Sequence, residues 1–131
     1  MSYYLGKVNK TDYLILKNQN KIQLNFNTTC FQGNKKFFNN NYLNVLNPDN
    51  LIYNLETEIE EFVKDKLPGL ELKSNIIFNQ KQFLQFKVEK DTVIDPETKL
   101  NLDIEVDKIK INEKTKSYQI LLKLIKFEKL E

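Results

Sequence analysis

The stretch Leu100-Asn101-Leu102-Asp103-Ile104-Glu105-Val106 decides the fold, because its apolar and polar residues alternate without a break. A period of two places all apolar side chains on one face of a β-strand and all polar side chains on the other. After this stretch the apolar positions change from even to odd numbers, at Ile109 and Ile111. This change predicts a β-bulge near Asp107-Lys108 or a bend between two sheet faces.

The segments on either side also carry strand patterns. Residues 117–127 are apolar enough on both faces for a helix, but pairing in a hairpin with residues 100–111 favours a strand. Upstream, residues 83–88 alternate and have one apolar face, formed by Leu84, Phe86 and Val88. The C-terminal half is therefore predicted to be a run of antiparallel strands.

The N-terminal part predicts a β-meander of two or three strands. Residues 3–8 and 13–16 are short apolar segments, and residues 21–26 alternate cleanly. Periodicity then fails in the Asn-rich residues 27–50, and Asn favours turns. This segment predicts a functional loop, or a loop that contains a short strand near residues 42–46.

One amphipathic helix is predicted over about residues 51–67. Asp49 or Asn50 suits the N-cap, and Pro68-Gly69 ends the pattern. Apolar residues recur at three- and four-residue spacing and form a buried stripe of Leu51, Ile52, Leu55, Ile59, Phe62 and Val63. The opposite face is predicted to be solvated and to hold Glu56, Glu58, Glu60 and Glu61.

The order of elements predicts a single domain over residues 1–131. A chain of this length buries a sizeable core without disulfides. The predicted fold class is mostly β (α+β), either an OB-like antiparallel barrel or a strongly bent sheet, with the one amphipathic helix at about residues 51–67. No internal repeat or linker interrupts the pattern.

The composition excludes most kinds of active site. The chain has no His, so it has no Ser-His-Asp or Cys-His pair and no histidine metal ligand. Its one cysteine, Cys30, has no activating base nearby in sequence and is predicted to be a structural thiol. The three scattered glycines form no phosphate-binding loop. We therefore predict a protein that is not an enzyme and needs no cofactor.

Three carboxylates on the long strand raise the alternative of a metal-dependent hydrolase. Asp103, Glu105 and Asp107 alternate along the strand and project to one face, as ligands of Mg²⁺ or Ca²⁺ would. A hydrolytic metal site usually gathers its ligands from several elements. The solvated outer face of an amphipathic strand is therefore the favoured interpretation, and no metal site is predicted.

All 20 basic residues are lysines, and Arg, Ala and Trp are absent. This composition is typical of an AT-rich genome, so the numbers of Lys and Asn are not evidence of selection for function. Lys lacks the planar fork with which Arg recognises a guanine edge, which argues against sequence-specific binding in the major groove. Before Pro48 six lysines accompany one acidic residue, whereas fourteen lysines face sixteen acidic residues from Leu51 onward. The mildly positive N-terminal half suits a polyanion.

The segment Lys35-Lys36-Phe37-Phe38-Asn39-Asn40-Asn41-Tyr42 is the best candidate for a binding site. Single-stranded nucleic acid is bound by cations that follow the phosphates and by aromatic rings on which bases stack. We predict that the phosphates are contacted by Lys7, Lys10, Lys35 and Lys36, and that bases stack on Phe37, Phe38 and Tyr42. The alternative is that individual rings are buried in the core and fasten a loop.

The C-terminal half resembles a known family. The resemblance is carried by Phe83-Leu84-Gln85-Phe86-Lys87-Val88, the turn Asp95-Pro96-Glu97-Thr98, residues 99–111, and residues 116–127 with their Lys-Ser-Tyr-Gln-Ile start. Over residues 83–127 this order is similar to the end of OB-fold single-stranded-DNA-binding proteins of phages and large cytoplasmic DNA viruses. The resemblance implies an OB fold and binding without sequence preference. The chain differs from the family in having no Trp and no strongly acidic tail.

Two functions follow as hypotheses. The leading one is a single-stranded nucleic-acid-binding protein, with DNA favoured over RNA, in replication or genome maintenance of an AT-rich replicon. The alternative is a structural or accessory subunit that docks on a larger assembly, such as a viral or plasmid polymerase or a virion. Protein partners or a homo-oligomer are compatible with both.

The predicted location is the cytoplasm, which for a viral protein means the host cytoplasm or a virus factory. No apolar run approaches the roughly 20 residues that span a membrane. The first residues lack the basic-then-apolar pattern of a signal peptide. We therefore expect no membrane partner and no secretion.

Overall fold

The computed structural model describes residues 2–37 and 39–130, and for residues 32–37 it describes the backbone alone. This part of the chain is mostly β, with one helix, which confirms the predicted fold class. The elements in chain order are β1 (Tyr3–Lys7), β2 (Asp12–Lys17), β3 (Gln23–Phe37), β4 (Asn40–Leu46), α1 (Leu51–Val63), β5 (Glu71–Leu72), β6 (Ile77–Asn79), β7 (Lys81–Val88), β8 (Lys99–Asn112) and β9 (Ser117–Lys129).

The long strand β8 organises the sheet. Along one edge it pairs with β9 over residues 100–112. Along the other edge it pairs with β3 at residues 99–105 and with β2 at Ile109 and Lys110. The strands follow one another in the order β1-β2-β8-β3-β4-β7-β6, and the described pairs are antiparallel apart from the short parallel pair of β5 with β9.

Strand β3 carries the bend of the sheet, because its two halves have different partners. Residues 23–29 pair with β8, and from Cys30 onward the strand pairs with β4. Side chains from β4, β7 and β8 consequently meet in one core cluster, which includes Leu43, Val45, Leu84, Phe86, Leu100, Leu102 and Ile104. The sheet is open, because no backbone hydrogen bond within the described residues joins β7 to β9.

The apolar pattern of the long C-terminal strands predicted this region well. Residues 117–127 lie in a strand that pairs with β8, as expected. The register shifts between Val106 and Lys108, which confirms the predicted bulge. A second shift, which the sequence did not predict, leaves Ile125 of β9 without an opposite residue in β8.

Helix α1 begins where the sequence predicted but ends earlier. Asn50 is the N-cap residue, although its side chain makes no capping hydrogen bond. The helix ends at Val63 rather than Leu67, and beyond it the carbonyl of Val63 accepts hydrogen bonds from the N–H groups of both Lys66 and Leu67 in one turn that does not continue the helix. The buried stripe packs on the second core cluster, formed largely by β2, β8 and β9, and includes Leu55, Ile59 and Val63.

The predicted solvated face of α1 was wrong at one position. Glu56 is only 4% exposed, whereas Glu58, Glu60 and Glu61 are exposed as expected. The segment after β5 lies over this part of the helix, and there Ser74 donates a hydrogen bond to the Glu56 carboxylate.

Two N-terminal predictions need correction. The first two strands do form a hairpin, but β3 does not continue it as a meander, because β2 and β3 both pair with β8. Residues 27–50 are not mainly a loop, because most of them belong to β3 and β4. The alternative of a strand near residues 42–46 is confirmed. Sequence periodicity failed here because Asn and Lys stand at both odd and even positions of residues 34–41, so no apolar alternation marks the strands.

Candidate functional site

The predicted binding residues lie on two hairpins. Lys35, Lys36 and Phe37 are the last residues of β3, and Tyr42 lies in β4. Phe38 lies outside the described residues. The remaining two predicted residues, Lys7 and Lys10, lie at the end of β1 and in the turn that follows.

These two hairpins lie at opposite ends of β8. Thr29 pairs with Lys99 at the start of β8, so the β3–β4 hairpin projects beyond that end. Asp12 pairs with Lys110 near the other end, so the β1–β2 turn projects in the opposite direction. The backbone therefore brings the hairpin residues of β3 and β4 together but does not bring Lys7 or Lys10 to them.

A row of three residues crosses β3, β4 and β7. The backbone of Lys35 pairs with that of Tyr42, which in turn pairs with Lys87. Residues that are opposite one another in neighbouring strands share a face of the sheet. Tyr42 is half-buried and Lys87 is exposed. The row therefore places an aromatic residue between two lysine positions.

The face that carries this row is the outer face of the sheet. Leu43 and Val45 of β4 are buried in the core, so the intervening residues of β4 lie on the other side. The same alternation applies to β7, where Leu84 and Phe86 are buried. We call this surface the β4–β7 outer face; its residues are Phe31, Tyr42, Asn44, Leu46, Phe83, Gln85 and Lys87.

An amide pair lies beside the Tyr42 row. Gln85 is opposite Asn44, and its Nε2 donates a hydrogen bond of 3.0 Å to Asn44 Oδ1. Asn44 is buried and Gln85 is exposed. Gln85 therefore provides an exposed amide between the lysine row and the aromatic residues at the far end of the face, and Asn44 holds it from beneath the surface.

An aromatic pair completes the β4–β7 outer face. The ring centroids of Phe31 and Phe83 are 5.4 Å apart, and the ring planes make an angle of 46°. Phe83 is 7% exposed, whereas Phe31 is half-buried. Phe31 therefore has ring surface available to a ligand, and its ring packs against the buried ring of Phe83.

The charge of the three strands is positive throughout. The sequences of β3, β4 and β7 contain four lysines, Lys35, Lys36, Lys81 and Lys87, and no acidic residue. The first acidic residue after them is Glu89, beyond the end of β7. A surface without carboxylates does not repel a polyanion, so these strands provide a favourable electrostatic environment for one.

Asn41 has a structural role although it belongs to the predicted binding segment. It is 1% exposed, and its Nδ2 donates hydrogen bonds of 2.9 Å and 2.8 Å to the carbonyls of Glu89 and Thr92. These bonds attach β4 to the turn after β7. This attachment lies directly beside Tyr42, the next residue of β4.

The sequence missed Asn44, Gln85, Lys87 and Phe83 as candidate residues. The alternation of residues 83–88 placed Leu84 and Phe86 on one face of the strand. The same pattern indicated that Phe83, Gln85 and Lys87 share the opposite face. The sequence did not show which strand lies beside these residues. The surface forms because β4 pairs with β7.

The three carboxylates of the hydrolase hypothesis have other partners, and that of Asp107 is Lys21, whose Nζ lies 3.9 Å away. Asp103 accepts a hydrogen bond of 2.6 Å from Asn25 and lies 3.5 Å from Lys126 Nζ. Glu105 accepts one from Gln23, at 3.2 Å, in the neighbouring strand. Within the described ranges no group of three or more Cys, Asp or Glu side chains is arranged to hold a metal ion.

Cys30 lies in the first core cluster and is 2% exposed. This burial confirms the prediction of a structural thiol, since a nucleophile needs access to its substrate. No described helix is long and apolar enough to cross a membrane.

Comparison of the chain with protein-family models, with curated proteins and with solved structures gives no match. Function is therefore inferred from the surface itself.

Proposed function

We propose that the chain is a non-catalytic protein that binds single-stranded nucleic acid through the β4–β7 outer face. The observation that carries the proposal is the row of Lys35, Tyr42 and Lys87 across three neighbouring strands. The two lysine positions are two strand spacings apart, roughly 9.5 Å. A base stacked on the central ring would have a cation on either side for the flanking phosphates.

The rest of the face supports the same ligand. Phe31 offers a second ring for stacking, and the amides of Asn44 and Gln85 lie between the two stacking positions. Stacking is tolerant of sequence because every base has a π-face. The lysine-only basicity agrees with this, since Lys contacts phosphate as a point charge. We therefore propose binding without sequence preference, with DNA favoured over RNA, in replication or genome maintenance of an AT-rich replicon.

The decisive experiment is a fluorescence-anisotropy titration with a labelled single strand of about 15 nucleotides, the size of site that such folds cover. Tyr42→Ala is expected to weaken binding by roughly 5- to 150-fold, the equivalent of about 1–3 kcal/mol for one lost stack. Tyr53→Ala is the matched control, because Tyr53 is a 60% exposed tyrosine on α1 and is not part of the β4–β7 outer face.

The outcomes distinguish the alternatives. Equal losses in the Tyr42 and Tyr53 variants, or no binding of the parent chain at low salt, would remove the proposed function. Labelled duplex and RNA strands of the same length test the preference for single strands and for DNA. Circular dichroism of each variant shows that the fold is retained.

A further inference from the structure

Strand β1 lies at one end of the sheet and has an unpaired edge. Within the described residues its backbone pairs with β2 alone. The N–H of Val8 donates a bond of 3.0 Å to the carbonyl of Asp12, and the carbonyl of Ser2 accepts one of 2.7 Å from the N–H of Asn18. Peptide groups of alternate residues point to the same edge of a strand, so the even-numbered residues of β1 point toward β2.

The odd-numbered residues of β1 direct their peptide groups away from the sheet. These residues are Tyr3, Leu5 and Lys7, and no described backbone group bonds to them. Helix α1 packs on one face of the sheet, where the side chains of Tyr3 and Leu5 contact the second core cluster, and it makes no described backbone bond to β1. An unpaired row of N–H and C=O groups of this kind is a template for another strand.

Large and small residues alternate along the face of β1 that is turned away from the helix. Tyr4 is 56% exposed and Val8 is 65% exposed, and the small residues Ser2 and Gly6 lie beside them. The ring of Tyr4 lies over Gly6, since a Cβ atom added at Gly6 would come within 2.6 Å of Tyr4 Oη. The glycine therefore leaves the space that the tyrosine ring occupies.

The sequence of β1 is complementary to itself. When two copies pair antiparallel with Leu5 opposite Leu5, Tyr4 of one copy lies opposite Gly6 of the other, and Val8 lies opposite Ser2. Each large exposed side chain thus faces a small one. Leu5 and the outer pairs of Tyr3 with Lys7 all become hydrogen-bonded pairs, which exchange both N–H···O=C bonds. Every outward peptide group of β1 then has a partner.

The same register avoids facing like charges. The two Lys7 side chains lie at opposite ends of the paired strands, and each is opposite Tyr3 of the other copy. Lys17 already occupies the equivalent position on the β2 side, where its Nζ lies 5.5 Å from the Tyr3 ring centroid and 3.1 Å from Glu58. Tyr3 also donates a hydrogen bond to Glu58. A second lysine beside this ring and carboxylate is favourable.

We propose that two copies of the chain form a dimer by antiparallel pairing of their β1 strands about Leu5. Such an interface is isologous, because the same surface of each copy takes part. The pairing joins the two sheets into one continuous sheet. The contact is small, so we expect a dissociation constant of roughly 10–100 µM.

The dimer is independent of the proposed binding of nucleic acid. Strands β2, β8 and β3 lie between β1 and β4 in the sheet order, so the β4–β7 outer face remains free in the dimer. The experiments on the dimer use the full chain without nucleic acid. Failure of the dimer would leave the proposed function standing, and failure of nucleic-acid binding would leave the dimer standing.

The first experiment is analytical ultracentrifugation of the chain from about 1 µM to about 500 µM, a range that spans the expected dissociation constant. We expect the mass to rise from that of one chain to that of two. Lys7→Pro removes an outward N–H but keeps the bonds to β2, since Pro is tolerated in an edge strand where its N–H would face solvent. It should dimerise at least roughly tenfold more weakly than the matched control Lys7→Ala, which retains the N–H.

A second pair of variants changes exposed side chains without touching the backbone. Tyr4→Glu removes the ring that faces Gly6 and places two carboxylates near the centre of the interface, so this variant should remain monomeric at about 100 µM. Tyr53→Glu is the matched control, because Tyr53 is a 60% exposed tyrosine on α1. It should dimerise as the parent does. Circular dichroism of each variant shows that the fold is retained.

The register is tested with cysteines. In Tyr4→Cys/Gly6→Cys, residue 4 of one copy would lie about 4.5 Å from residue 6 of the other at their Cα atoms, within the range that a disulfide spans. Oxidised glutathione should therefore link the two copies. Tyr4→Cys alone should be linked at least roughly tenfold more slowly, because diagonal residues are about 7–8 Å apart. Cys30 is 2% exposed and does not compete.

Three results would overturn the proposal. The first is a parent chain that stays monomeric at about 500 µM. The second is equal dimerisation of Lys7→Pro and Lys7→Ala together with unchanged dimerisation of Tyr4→Glu. The third is a dimer in which the amides of Tyr3 and Leu5 exchange with solvent as fast as in the dilute chain, since the interface would then lie on another surface.

Discussion

The carboxylate of Glu56 accepts two hydrogen bonds from Asn75, at 2.8 Å from the backbone N–H and at 3.1 Å from Nδ2. Ser74 Oγ adds a third at 2.6 Å. Asn75 in turn bonds to the carbonyl of Ile120 in β9. A buried side chain of the helix thus fixes the point where the chain leaves the edge of β9.

Glu56→Gln is expected to lower the free energy of unfolding by about 1–3 kcal/mol, the usual cost of disrupting hydrogen bonds to a buried charged group. The amide keeps one acceptor but turns an NH₂ group toward donors of Asn75 or Ser74. Urea unfolding followed by circular dichroism measures the change. Glu60→Gln, at an exposed position of the same helix, should change stability by less than about 0.5 kcal/mol. Equal stability of the two variants would contradict a structural role for the Glu56 carboxylate.

Asp12 is expected to make the fold sensitive to acid. Hydrogen bonds from the side chains of Asn9, Lys108 and Thr11 to its carboxylate lower the pKa of Asp12. Because the pKa is lower in the folded chain than in the unfolded chain, the stabilisation is present above the unfolded value of about 3.9. It is lost as the pH falls through the lower, folded value.

Asp12→Asn should therefore be less stable than the parent at pH 7, and the difference should shrink as the pH falls below 4. Thermal unfolding between pH 2.5 and pH 7 measures this. Asp91→Asn, at an exposed residue of the turn after β7, is the control and should follow the parent curve. If the difference in stability between Asp12→Asn and the parent stayed constant with pH, ionisation of Asp12 would not be the cause of that difference.

The hydroxyl of Tyr118 differs from the carboxylate of Asp12, because it is buried without a hydrogen-bond partner among the described residues. Tyr118 as a whole is 3% exposed. Burial, with smaller contributions from Glu60 and Glu56, raises the pKa of Tyr118 to about 12. The folded chain therefore retains this proton more strongly than the unfolded chain. Its contribution to stability is complete below pH 10 and declines as the pH rises from 10 to about 12.

Tyr118→Phe should leave the free energy of unfolding at pH 7 unchanged or raise it by about 1 kcal/mol, because an unsatisfied buried hydroxyl is removed. The variant should also lose stability less steeply above pH 10. Tyr53→Phe on the exposed face of α1 should change neither property. A loss of more than about 1 kcal/mol in Tyr118→Phe would indicate that the hydroxyl has a partner after all.

Lys87→Gln tests the electrostatic part of the proposed nucleic-acid site. Each lysine that contacts a phosphate of a single strand contributes roughly 0.7 to the slope of log affinity against log salt concentration. The variant should therefore reduce that slope by about 0.7. Anisotropy titrations at four salt concentrations give the slope, and Lys66→Gln should leave it as in the parent. Identical slopes in the parent and Lys87→Gln would exclude a phosphate contact at this residue.

The outcomes along the chain show how far local patterns predict this fold. The alternation at residues 100–106, the bulge that follows and the helix start at Leu51 all depend on neighbours in sequence, and all were predicted. The burial of Glu56 was not, because it depends on Ser74 and Asn75, which are distant in sequence and approach only after folding. The strand character of residues 27–37 was hidden for a similar reason. Polar residues are tolerated there because backbone pairing with β4 and β8 holds the strand.

In the candidate site, too, the sequence predicted residues that are close along the chain and missed those that only the fold brings near. Tyr42 and Lys35 were predicted because they are close in one segment with aromatic and basic residues. Lys87 was missed because it joins them only through the partnership of β4 with β7. Lys7 and Lys10 were grouped with these residues by charge alone, whereas the pairing of β3 and β2 with opposite ends of β8 separates the two hairpins.

The sequence by itself determined that residues 83–88 and 100–106 form strands with one apolar face, that a bulge follows residue 106, where α1 begins, and that histidine chemistry is absent. It did so because side-chain periodicity and composition are local properties. Only the tertiary structure decided which strands are neighbours. Every strand offers the same peptide N–H and C=O groups, so alternation selects a face but not a partner. The partner order places Tyr42 between Lys35 and Lys87 and leaves one edge of β1 without a described partner strand.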